Sequence, residues 1–405
     1  MKQMANAQIF NVKDLNLNAE NELEFQGFQI RIYHHEGDPQ PANRVNVWNK
    51  KMGVEFFPSK GLSIAQAWMG NRTIFWEAPI DLVDTEELDL WSDEISINGQ
   101  AAPGFTFLKT MVGGLEFYGL KNWGMPVTVD GKTELLHGET SNIPINEILF
   151  GTENDQACWI QGSFIYRTFE GDHQLPWYNR GSAIFKVTRK YSIPAHSLEI
   201  IVEDCIENVS EAIRVPDWGY HITFKPEEGA KLLVPSKHVE ERGGNALPDD
   251  IETWHVAEDW SIRTETGIIH KNLLHSQTEP GTDCITSLLE YPDRTGLVVS
   301  VPPSPYFQTW FCSGGKGSKE FTDRKGASIL MKNWDGMGLE IGASALDHNG
   351  NTDKTVDYEP VLNPGDCLTI QLHIKWLDES ETKGLSETIH DYKASRMRTQ
   401  SFPSS

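Results

Sequence analysis

The sequence predicts an all-β protein, a large antiparallel β-sandwich with few short helices. Three observations carry that prediction. Period-two segments dominate the chain, turn residues interrupt them at roughly ten-residue spacing, and sustained apolar spacing at three and four residues is nearly absent.

In chain order, Phe28 to Tyr33 (FQIRIY) and Arg44 to Trp48 (RVNVW) alternate apolar and polar side chains as half-buried strands do. Phe185 to Tyr191 (FKVTRKY), Ser197 to Glu203 (SLEIIVE) and Leu368 to Trp376 (LTIQLHIKW) repeat the alternation or carry β-branched runs. Gly, Pro, Asn and Asp punctuate them with turn conformations. Short helices fit only near Leu82 to Trp91 and Gly384 to Ala394. Many short strands at this spacing make a sandwich. No repeat of fixed period and no linker divides the chain. The expected organisation is an N-terminal extension over residues 1–25, one sandwich domain over 26–380 and a polar C-terminal tail over 381–405.

The chain has 405 residues, 39% of them apolar and 13 of them Trp, enough for a large core. Its 58 acidic residues against 35 basic ones give a formal charge of −23. Such a field repels polyanions, and no dense basic run offsets it, so nucleic acid and anionic membranes are excluded as expected partners. Five widely spaced cysteines without a CxxC pattern suit reduced thiols better than a disulfide framework. The N-terminus lacks a signal-peptide core, and no apolar run reaches membrane-spanning length. A soluble cytoplasmic protein is expected, with the oligomeric state, homodimer included, left open.

The stretch from Gly113 to Pro144 holds more polar functionality than turns need. His137 lies there in Leu135-Leu136-His137-Gly138-Glu139. A second imidazole, His221, sits in the aromatic-rich Asp217-Trp218-Gly219-Tyr220-His221-Ile222-Thr223-Phe224. A carboxylate, Glu340, is embedded in Gly336-Met337-Gly338-Leu339-Glu340-Ile341-Gly342, where burial makes it costly unless it is paired or its pKa rises. Each histidine could equally be an ordinary half-buried one. Together, two imidazoles and one carboxylate form an acid/base set of the kind proton transfer requires.

These segments resemble those of the aldose 1-epimerase, or galactose mutarotase-like, superfamily, and its poorly characterised bacterial branch in particular. Leu136-His137-Gly138 resembles the family's Leu-His-Gly-Gly loop, with Glu139 at the second Gly. Trp218 to Phe224 resembles its His-containing strand, matched clearly only at His221. Gly338-Leu339-Glu340 resembles the Cys-Leu-Glu strand that carries the catalytic glutamate. Pro305 to Trp310, Gly113 to Asn122, Ser141-Asn142 and Phe57 to Leu62, with Lys60 where an Arg is common, follow the branch in order from about residue 28 to 375. The family's Asn-Arg pair and its substrate-binding Asp find no clear match.

The resemblance implies an isomerase that interconverts the anomers of an aldose or aldose derivative by opening and reclosing the ring, without a cofactor or metal. It implies a small-molecule sugar as the binding partner. Glu340 would be the base, His221 the acid, and His137 would position the ring. Asn122, Glu139 and Asn142 are candidate partners for sugar hydroxyls, and Gln308, Trp310 and Trp218 candidate substrate-binding residues, the indoles stacking on the pyranose. A carbohydrate lyase or isomerase on the same scaffold, or a non-catalytic sugar-binding protein, remain alternatives. The Ser313 to Ser318 loop lacks P-loop spacing, His34-His35-Glu36 and the His270, His275 pair lack metal-ligand spacing, and no GxSxG elbow is present.

Overall fold

The computed structural model describes residues 8–11, 21–25, 27–34, 44–78, 88, 90–91, 95–97, 100–129, 132–153, 156–171, 173–242, 244–247, 250–255, 264–279, 282–304, 306–313, 320–323, 328–330, 335–343 and 360–395. Two large antiparallel sheets dominate it. The ten-stranded sheet runs, in spatial order, Gln8–Asn11, Glu147–Glu153, Ala157–Arg167, Ala183–Pro194, Glu199–Asn208, Cys367–Leu377, Gly296–Val301, Thr282–Glu290 and Lys231–Leu233, with His275–Glu279 beside Thr282–Glu290. The twelve-stranded sheet runs Ser236–Glu241, Thr264–Leu273, Tyr306–Ser313, Gly336–Gly342, Asp217–Phe224, Gly114–Leu120, Ser63–Met69, Met52–Phe57, Arg44–Trp48, Phe28–Tyr33 and Asn21–Phe25, with Arg72–Thr73 beside Ser63–Met69. The protein is an all-β sandwich, and one apolar core joins residues of both sheets, among them Phe117, Tyr220 and Leu339 from one and Val187, Val202 and Leu372 from the other.

The period-two segments lie where they were expected. FQIRIY and RVNVW coincide with strands, FKVTRKY and LTIQLHIKW fall inside longer ones, and SLEIIVE starts pairing at Glu199. Most of Leu82 to Trp91 lies outside the described residues. The C-terminal helix, Glu379–Ala394, starts five residues before the expected Gly384, where Asp378 and Glu381 form a reciprocal capping box. Among the described residues no helix is long and apolar enough to cross a membrane.

A buried polar knot ties the sheets together. The Arg189 guanidinium grips Asp204 at 2.9 and 3.2 Å on the neighbouring strand and donates to the Gly61 carbonyl at 2.8 Å. The Tyr220 hydroxyl reaches Asp204 at 2.5 Å from the other sheet, and the Tyr191 hydroxyl holds the Leu62 carbonyl at 2.7 Å. The knot thereby fixes both the residue before His221 and the turn that carries Lys60.

The cysteines depart from the expectation of free thiols. Cys205 and Cys367 form a disulfide, with Cα atoms 6.2 Å apart. Cys205 faces Thr369 and Cys367 faces Glu207, so the two are diagonal neighbours on one sheet face, a relationship hidden by 162 residues of separation. Cys158 and Cys284 are free and buried.

Candidate active site

Four adjacent strands contribute one side chain each to a single row. Glu116 faces His221, His221 faces Glu340, and Glu340 faces Gln308. Cross-strand partners share a face, so all four project from the side opposite the core residues Tyr220, Ile222, Leu339 and Ile341. His221 Nε2 lies 3.5 Å from Glu340 Oε1. On the other side of the imidazole, the Thr223 hydroxyl is 3.0 Å from Nδ1.

Glycines on this face let indoles lie against the backbone. Gly219 and Gly342 are cross-strand partners, and a Cβ on either would fall 2.4 or 2.6 Å from the Trp123 ring. Gly338 faces Trp310, where a Cβ would lie 2.1 Å from the indole Nε1. Trp123 and Trp310 thus flank the His221–Glu340 pair, with Trp310 5.4 Å from the His221 ring. Tyr118, Phe107 and Tyr306 belong to the same buried cluster.

His137 enters from the loop side. Its backbone is left-handed, with φ of 58°, and Gly138 follows at 71°. The strain of that conformation in a non-glycine residue is offset by hydrogen bonds on both sides, from its N–H to the Gly124 carbonyl and from the Gly119 N–H to its own carbonyl. Its Nδ1 lies 2.6 Å from the Trp123 carbonyl, so Nδ1 carries the proton and Nε2 is left to accept. The ring stacks on Tyr118 at 5.1 Å and sits 5.6 Å from His221.

Burial sets the charge states. It lowers His137 to about 4, against the Trp123 carbonyl that favours the proton, with the Arg242 charge lowering it further. Burial, and then His137, push His221 well below the ordinary imidazole range. Glu116 is pushed up to about 7 by burial, opposed by the Lys60 ammonium, and Lys60 is pushed down to about 8 by burial, opposed by Glu116. Two buried polar atoms on this face, Gln308 Nε2 and Trp310 Nε1, have no hydrogen-bond partner among the described residues, whereas Glu116 and Tyr118 interact with each other. Buried polar groups are nearly always satisfied, so these two atoms mark a surface suited to a polar ligand.

The structure brings His137, His221, Glu340, Gln308 and Trp310 together, and the Gln308 amide is oriented by the Tyr306 hydroxyl at 2.8 Å. It places the other sequence candidates elsewhere. Trp218 is one residue out of phase with His221 and points into the sandwich core, 1% exposed. The Asn122 amide donates to the Leu135 and Met125 carbonyls at 2.7 and 3.1 Å and so staples two loops together. Asn142 accepts from the Lys60 ammonium. Glu139 accepts from the Tyr166 hydroxyl at 2.8 Å and lines a separate cavity.

Two residues of this region escaped the sequence reading as chemistry. Glu116 sits in GLEFYGL, an ordinary strand pattern, and only the strand register brings it to His221. Arg242 follows the Ser236–Glu241 strand and lies along Gly267, which faces Trp310, and its charge is felt by both His137 and Tyr306. No local signal in the sequence points to it. Among the described residues no group of three His, Cys, Asp or Glu side chains is arranged to hold a metal ion.

The sequence profile of a family described as a domain of unknown function, DUF4432, matches residues 40–266, more than half of the chain. The chain belongs to that family. None of the curated proteins matches it in sequence. This DUF4432 member shares its fold with a proposed aldose 1-epimerase from Klebsiella pneumoniae, at a TM-score of 0.70 and 15% identity over 96% of this chain and 93% of that one. It is also similar to a proposed mutarotase from Salmonella typhimurium, at 0.54 and 10% over 86% and 94%, and to a galactose mutarotase-like protein from Clostridium acetobutylicum, at 0.52 and 11% over 89% and 98%. The DUF4432 chain therefore has the galactose mutarotase-like fold, and at these identities the likeness concerns the fold.

Proposed function

We propose that the protein interconverts the anomers of an aldose by acid/base ring opening. The observation that supports this reading most is the His221–Glu340 pair, 3.5 Å apart on one sheet face between two indoles. Glu340 takes the proton of the C1 hydroxyl while His221 delivers one to the ring oxygen, and the C1–O5 bond breaks to give the aldehyde. Rotation about C1–C2 and the reverse transfers close the ring on the other face. Burial holds His221 toward its neutral form, so its proton must come from a neighbour. Glu116, directly opposite and pushed up to about 7, is the candidate source. His137 accepts from a sugar hydroxyl through Nε2, and Trp310 offers the apolar face of the sugar an aromatic surface.

A uronate lyase calls for cations facing the substrate; Arg242 and Lys60 stand beside this row, Lys60 coupled to Glu116, and the other candidates are engaged elsewhere. Arg72 binds Glu227 and Asp293, Lys121 binds Glu134, and Arg180 donates to the Leu175 carbonyl. Polarimetry or saturation-transfer NMR on Glu340→Gln tests the reading. Anomerisation should fall by about 100-fold or more with the fold intact, and retained turnover would remove Glu340 as the base.

A further inference from the structure

The segment that carries His137 has two functional sides. At His137 the left-handed turn sends the imidazole toward His221, while Glu134, Leu135 and Glu139 line a cavity of about 670 Å³ on the other side of the loop. That volume is in the range of small-molecule sites. Glu139 is 2% exposed there, and its carboxyl, pushed up to about 7 by burial, plays no part in the row of Glu116, His221 and Glu340. Arg167 donates Nη1 to the Gly181 carbonyl at 3.0 Å but leaves a buried Nε without a partner. Trp91 closes the same cavity with a ring 39% exposed, packed 5.6 Å from Phe169 and edge-on to Trp177.

We infer that this cavity is a second ligand site, for a neutral polyhydroxylated molecule of the saccharide class. Three cations, Lys121, Arg167 and Arg214, line it together with Glu134, Glu170 and the Glu139 carboxyl, which burial holds toward its neutral form, so the lining mixes donors and acceptors instead of presenting a single cluster of one sign. Lys121 and Glu134 already neutralise each other at 2.5 Å. A lining that holds both donors and acceptors suits hydroxyl groups, which both donate and accept. The partly exposed indole adds the apolar surface that a sugar ring covers. The inference stands apart from the anomerisation reading, because none of these side chains belongs to that row.

The test uses the full chain labelled with 5-fluorotryptophan, with the Trp91 and Trp310 resonances assigned from Trp91→Phe and Trp310→Phe. D-galactose, D-glucose and D-ribose are titrated in turn, up to their solubility limits, and followed by fluorine NMR. At least one should shift the Trp91 resonance saturably, in wild type and in Glu340→Gln alike. In Arg167→Met, which keeps the indole, the midpoint should rise about tenfold. A Trp91 resonance that none of the three sugars moves, or a midpoint unchanged in Arg167→Met, would overturn the second site. Movement of Trp310 alone overturns it too while leaving the anomerisation reading intact.

Discussion

Glu116 and Glu340 stand directly opposite His221 on its two neighbouring strands, so one imidazole is flanked by two carboxyl side chains on a single sheet face. In the proposed reaction the row would carry a proton across three strands, with Glu116, pushed up to about 7 by burial, as its source.

If Glu116 supplies the proton that His221 delivers, it must be protonated to act. The rate should then fall as pH rises through about 7, where Glu116 ionises. Glu116→Gln cannot supply a proton, so it should be slower by about 100-fold below that pH and should lose the alkaline limb assigned to this group. A pH–rate profile of kcat, measured by saturation-transfer NMR on both proteins, checks this. A variant that keeps the wild-type profile confines Glu116 to a structural part.

The Lys60 ammonium is 2% exposed and the Glu116 carboxyl 1% exposed, and each moves the other's pKa. Removing one member leaves the other without its main electrostatic partner. Lys60→Met and Glu116→Gln should each destabilise the fold by about 3–5 kcal/mol, and the double variant should recover much of that loss. Urea unfolding of the four proteins decides. Additive losses would show that the two side chains do not act as a pair.

The fold was legible because antiparallel strands with one buried face write their alternation into the sequence, as FQIRIY does. The same alternation, applied one step further, separates Trp218 from His221: odd positions 217, 219, 221 and 223 face one way, and Trp218 with Tyr220 and Ile222 faces the core. His137, His221 and Glu340 were visible as polar groups in aromatic or small-residue surroundings. Glu116 was not, because its meaning depends on which strands pair, a long-range fact. Cys205 and Cys367 were hidden for the same reason. Glu139 is an acid in a His loop, yet it lines the cavity beside Trp91 while His137, with its left-handed backbone, packs against Tyr118 and His221.

His137 gives a pH signature of its own. Its folded pKa of about 4 lies below the ordinary imidazole value, so the folded state binds fewer protons than the unfolded chain between those two pH values. The contribution to stability is therefore present above about pH 6.5 and is lost as pH falls through about 4. The size is about 3 kcal/mol for a group this deeply buried. Wild type should lose roughly that much more than His137→Asn on acidification across this window, read from urea unfolding. Equal losses would mean that the imidazole is already exposed to solvent.

The pairing of glycine with indole makes the sharpest structural demand. A methyl group on Gly219 would lie 2.4 Å from the Trp123 ring, and Trp123 is held in turn by its carbonyl on His137 Nδ1 and its N–H on the Asp217 carboxylate at 3.1 Å. The ring cannot slide aside without disturbing the His137 loop. Gly219→Ala should accordingly destabilise the fold by about 1–3 kcal/mol, the usual range for overpacking, and change the near-ultraviolet circular dichroism of the aromatic cluster. Trp123→Ala in the same chain removes the clash, so the double variant should be no less stable than Trp123→Ala alone. If Gly219→Ala is instead silent in both measurements, the indole does not lie on that strand, and the wall beside His221 and Glu340 is built differently.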